Sequence, residues 1–171
     1  MNNPHGYRTD YRSEGNPQKM HRSDEAVRRL NSLLRGEISA AETYRMAIDR
    51  EGNSKNPQNA RIELLRKVCE EHDQAAQSLR DRIRELGAEA SDSSGPWGVW
   101  AKFTQGSAGL FGDAAALKSL KEAEMHGLKD YQEAVEAMDA TSADLIRNQL
   151  VAARQRHIQL LDQLIDSINA A

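Results

Sequence analysis

The chain has 171 residues, with 23 Lys and Arg against 26 Asp and Glu and a formal net charge of -3. Aromatics make up 5% of it and charged residues 29%, a balance that disfavours strands and favours long amphipathic helices. No run approaches the roughly 20 apolar residues of a membrane span, the N-terminus lacks the apolar core of a secretory signal, and the negative balance argues against a general nucleic-acid binder. The one cysteine, Cys69, has no partner for an internal disulfide, as expected of a cytoplasmic protein.

Residues 1–22 are polar, with two Pro, two Gly and no apolar periodicity, and read as a disordered tail. The spacing then predicts four helices. The first, over about 23–50, carries Leu30, Leu33, Leu34, Ile38, Ala41 and Ile48 on one stripe. The second, over about 57–86, opens at Asn56-Pro57 and stops at Gly87, with Ile62, Leu65, Val68, His72, Leu79 and Ile83 on its stripe. The third is expected over 113–139, with Leu117, Leu120, Leu128, Tyr131 and Val135. The fourth is expected over 142–169, capped by Thr141 or Ser142 and carrying Leu145, Leu150, His157, Leu161, Ile165 and Ile168. Two short connections flank a long one, residues 88–112. This is the connectivity of an all-α antiparallel four-helix bundle with one long crossover between the second and third helices.

Self-comparison reveals an internal repeat. A shift of 87 places Leu30 on Leu117, Glu37 on Glu124 and Tyr44 on Tyr131. A shift of 85 places Leu65 on Leu150, His72 on His157 and Ile83 on Ile168. Matching Leu are expected of any amphipathic helices, whereas matching Glu, Tyr and His on apolar faces are not. Two hairpins related by an approximate two-fold axis would therefore each supply one Glu and one His. A carboxylate facing a core must be paired, neutralised or bound to metal, and Glu and His converging from four helices is how bundle cores hold iron or manganese.

The Glu-x6-Tyr pattern of Gly36-Glu37-Ile-Ser-Ala-Ala-Glu-Thr-Tyr44 resembles the first helix of the ferritin-like superfamily. Its Gly-Glu-x-x-Ala start is similar to that of demethoxyubiquinone hydroxylases, and there is a distant likeness to rubrerythrins. The overall pattern, over 23–171, most resembles small bacterial ferritin-like four-helix-bundle proteins of unknown function. The resemblance implies a metal site built from Glu37, Glu124 and a Glu-x-x-His motif on the second and fourth helices, with a role in iron or stress physiology. Here the chain departs from the pattern, because Cys69 and Arg154 stand three residues before His72 and His157. Glu70 and Glu71, one or two positions from His72, are expected to face elsewhere.

Three readings follow. In the first the core is metal-free and non-catalytic: Arg154 bridges Glu37 and Glu124 while Tyr44, Tyr131 and the histidines complete the polar network. In the second a single Fe or Zn ion is held by some of Glu37, His72, Glu124, His157 and Cys69. The third is a metal-dependent di-iron oxidase or iron-handling stress protein. The crossover concentrates the aromatics, and Trp97, Trp100 and Phe103 are expected to cover the bundle or to form a homodimer or higher homo-oligomer interface. A scaffold or partner-docking module, its protein partner not specified by the sequence, is the corresponding alternative function.

Overall fold

The computed structural model describes the backbone of residues 17–95 and 98–170, and the side chains of 23–95 and 114–170. Helix α1 (Pro17–Gly52) is followed by α2 (Asn59–Glu85) and α3 (Gly98–Val135). A fourth helical rod is made of α4 (Ala140–Leu145), a π turn (Ile146–Leu150) and α5 (Val151–Asn169). Among the described residues there is no strand, and no helix is long and apolar enough to cross a membrane. The two hairpins pack side by side, α1 against α2 and α3 against α5, with α1 also packed on α3. This is an all-α ferritin-like four-helix bundle.

Local chemistry explains most of the ends. Pro17 opens α1, where a missing N–H costs nothing. Six residues assigned to the tail, 17–22, are thus helical, while 1–16 lie outside the described residues. Gly87, with φ +75°, closes α2 in a Schellman arrangement: Ala88 N donates to Ile83 O at 3.1 Å and Gly87 N to Arg84 O at 2.9 Å. The cap of α4 is Asp139 rather than Thr141 or Ser142; its carboxylate accepts from Ser142 N at 3.1 Å. The expected start of the third helix at Asp113 is corrected to Gly98, so α3 runs through much of the Gly-rich stretch assigned to the crossover. Glycine weakens a helix by about 1 kcal/mol per residue without forbidding it, and no proline follows Pro96 to break the backbone ladder. Trp97, and the side chains of Trp100 and Phe103, lie outside the described residues.

The apolar core is divided in two. Leu30, Leu34, Leu79, Ile83, Ile146 and Leu150 belong to one cluster, and Ala41, Leu65, Val68, Leu117, Leu120, Leu161 and Ile165 to the other. On every helix the residue between the two groups is polar: Glu37 on α1, His72 on α2, Glu124 on α3, Arg154 and His157 on α5, all buried. The repeat thus produces a polar layer across the middle of the bundle, sealed above and below by aliphatic side chains.

Candidate functional site

The polar layer is a closed hydrogen-bonded cluster. The Arg154 guanidinium lies between the two carboxylates, its Nη2 donating to Glu37 Oε1 at 2.5 Å and its Nη1 to Glu124 Oε2 at 2.7 Å. His72 lies between the same two residues, Nδ1 2.7 Å from Glu37 Oε2 and Nε2 2.9 Å from Glu124 Oε1. Ionised carboxylate oxygens only accept, so both ring nitrogens carry protons and His72 is an imidazolium. The tyrosines donate crosswise between hairpins: Tyr44 of α1 to Glu124 Oε1 at 2.7 Å, and Tyr131 of α3 to Glu37 Oε1 at 2.6 Å. This exchange is the approximate two-fold axis of the repeat made visible.

Two carboxylates thus face two cations, and the cluster is neutral. Burial would raise the Glu37 carboxyl, but the Arg154 guanidinium and then His72 outweigh it and hold the group at about 2. Glu124 is driven down for the same reasons. Burial disfavours the charged form of His72, yet the carboxylates of Glu124 and Glu37 prevail and raise it to about 9. Desolvation, reinforced by the adjoining carboxylates, pushes both tyrosines well above their ordinary range, so they remain neutral donors.

His157 sits at the edge of the layer. Its Nε2 is 3.1 Å from Glu71 Oε2, which also accepts from Arg156 Nη2 at 3.1 Å. Its Nδ1 lies 3.4 Å from Glu124 Oε2 and makes no hydrogen bond. The expectation that Glu71 faces away from the site is corrected: at the boundary of the layer its side chain is long enough to reach across from α2 to α5. Under the 85-residue shift Glu71 falls on Arg156, its actual partner, and that opposite-charge match was the available signal.

Cys69 is not brought into the cluster; its thiol donates to Ala41 O at 3.5 Å, and burial pushes it up, away from the thiolate a metal requires. Gly127 is a residue the sequence reading missed. It faces the guanidinium from α3, three residues after Glu124, and a Cβ there would stand 2.7 Å from Arg154 Cζ and 2.8 Å from Nη2. A glycine in mid-helix on the inner stripe, where the repeat has Ala40, was the signal.

The residues of this layer do not fit the pair of metal ions that the ferritin-like resemblance implies. Where the resemblance implies carboxylates three residues before His72 and His157, this chain has a thiol and a guanidinium, and the guanidinium is bonded to both Glu37 and Glu124. A divalent pair beside Arg154 would leave large uncompensated charge in a dry interior. Smaller demands are met: donor atoms of His72, Glu124 and His157 lie within 4.8 Å of one another.

Comparison with known proteins agrees with the geometry at the level of fold. DpsC from Streptomyces coelicolor superposes with a TM-score of 0.68 at 18% identity, covering 85% of this chain and 86% of its own. A dodecameric thioferritin, the bacterioferritin-related protein from Bacteroides fragilis, gives 0.70 at 20% identity, covering 86% and 88%. A ferritin-like diiron-carboxylate protein from Bacillus anthracis gives 0.66 at 18%, covering 85% and 98%. No curated protein matches in sequence. Residues 25–137 match the family described as Domain of unknown function (DUF2383). That match covers α1 from residue 25 onward, α2 and α3, with Glu37, His72 and Glu124, and the chain belongs to this family, on a ferritin-like fold.

Proposed function

We propose that this bundle holds its central carboxylates with its own cations and acts as an assembling module, a homodimer or larger homo-oligomer, rather than as a di-iron oxidase. The observation that carries the reading is Arg154, which donates to both Glu37 and Glu124. With His72 between the same carboxylates, the layer is neutral and hydrogen-bonded from within. Assembly is supported by the dodecameric state of the Bacteroides thioferritin, which shares the fold. It is supported as well by the clustering of both Trp and both Phe within 97–111, where Trp97, Trp100 and Phe103 would form the contact. The lone thiol suits the cytoplasm.

Elemental analysis of protein purified without chelator, with light scattering on the same sample, tests this. Metal far below stoichiometric and a mass that is a multiple of the chain are expected; two irons per chain overturn it in favour of an iron-handling or stress-linked oxidase. A second reading is favoured by His157 Nδ1, which lies 3.4 Å from Glu124 Oε2 without a hydrogen bond and close to His72. Two histidines and a carboxylate suit one zinc or iron ion, and the same analysis would then return one metal per chain.

A further inference from the structure

We infer that Gly127 is the notch through which the Arg154 guanidinium reaches between Glu37 and Glu124, and that this pair, with Cys69 at the repeat-equivalent position, sets the core to an ionic state while the other donors remain arranged as a latent site for divalent cations. The inference rests on the metal-free reading of the wild-type core. It adds which residues enforce that state and what their exchange would create.

The repeat is asymmetric at these positions. Position 154 falls on 69 under the 85-residue shift, and 127 falls on 40 under the 87-residue shift. One hairpin therefore supplies a long cation and the space for it; the other supplies a thiol turned to Ala41 O and an alanine. The space is specific. A Cβ on residue 127 would approach Cζ, Nη2 and Nε of Arg154 at 2.7, 2.8 and 3.1 Å. The end of a free arginine would swing aside, but this one is held by a carboxylate at each Nη, so yielding means breaking those bonds. The buried guanidinium also borders surface clefts there. Two clefts between α1 and α3, of about 170 and 60 Å³, share Gly36, Gly127, Asp130 and Arg154 as lining, and Arg154 Nε has no hydrogen-bond partner. Glu37, His72, Glu124 and His157 meanwhile come from four different helical rods, the donor arrangement that lacks just two carboxylates to hold two divalent ions.

Two experiments on the full chain test it. First, Cys69→Glu/Arg154→Glu is titrated with cobalt(II) chloride beside the wild type, following visible absorption and melting temperature. Saturable uptake of two ions and a rise in melting temperature are expected in the variant, and no saturable uptake in the wild type. A variant folded by circular dichroism that takes up no more cobalt than the wild type overturns the latent site while leaving the metal-free reading intact. Stoichiometric cobalt in the wild type overturns both. Second, Gly127→Ala is compared in wild-type and Arg154→Met backgrounds, which needs no metal and covers the case of a double-Glu variant that does not fold. The substitution is expected to lower the melting temperature in the wild type and to raise it in Arg154→Met, where the methyl meets no guanidinium and helix propensity improves. A rise in both backgrounds overturns the notch.

Discussion

Arg154→Met removes one of the two cations that touch both buried carboxylates while keeping most of the side-chain volume. Two charge-assisted hydrogen bonds disappear, at 2.5 and 2.7 Å. The neutral cluster becomes a net anion, because His72 alone remains against Glu37 and Glu124. Breaking a buried pair by removing one partner typically costs about 3–5 kcal/mol, since the surviving charge keeps its desolvation penalty. In a chain of this size that is a fall in melting temperature of roughly 10 °C. Urea unfolding followed by far-UV circular dichroism, at fixed protomer concentration, measures it. Glu37→Gln in the Arg154→Met background should recover part of the loss, giving a coupling energy of roughly 2 kcal/mol between positions 37 and 154. A cost below about 1 kcal/mol, or additive effects of the two substitutions, would refute the claim that Arg154 neutralises this layer.

Other consequences are measurable in the same way. His72 is raised from 6.5 to about 9 in the folded chain, so its contribution is complete below about pH 6.5 and lost as pH rises through 9. Glu37 is lowered from 4.5 to about 2, so its contribution is present above pH 4.5 and lost as pH falls toward 2. Stability should therefore peak between these limits, and His72→Gln should flatten the alkaline limb; an unchanged limb would remove His72 as its cause. Tyr44→Phe and Tyr131→Phe each delete one donor to a carboxylate oxygen that keeps another partner, so each should cost about 1–2 kcal/mol, equally within error if the repeat is energetically symmetric. Glu71→Gln, at a half-exposed pair, should cost under about 1 kcal/mol, and a loss as large as that of Arg154→Met would make His157 part of the central cluster.

Periodicity reports which side chains share a helix face, not how the helices approach one another. Glu37 with Tyr44, and Glu124 with Tyr131, are seven residues apart, so a shared face on each helix could be read directly. The crossing of each tyrosine to the other hairpin's glutamate could not, since it depends on how α1 and α3 approach each other. Arg154 was recognisable as the substitute for a missing cation because charge must balance in a buried layer whatever its geometry. Gly127 and Glu71 escaped for opposite reasons: one matters for the side chain it lacks, the other through reach beyond the face its helix position assigns. The early start of α3 was hidden by the glycines of 98–112, which lower helix propensity without excluding a helix. The π turn at Ile146–Leu150 leaves no signature in an apolar pattern that stays continuous through it.

Protonated and guanidinium side chains hold Glu37 and Glu124 where ions would otherwise be needed. Nitrogen-15 NMR of the His72 ring, at neutral pH on protein purified without chelator, tests this directly. Both ring nitrogens should carry protons, with resonances unmoved by added iron(II) or zinc. A neutral ring, or a ring nitrogen that shifts on stoichiometric metal, would contradict the account.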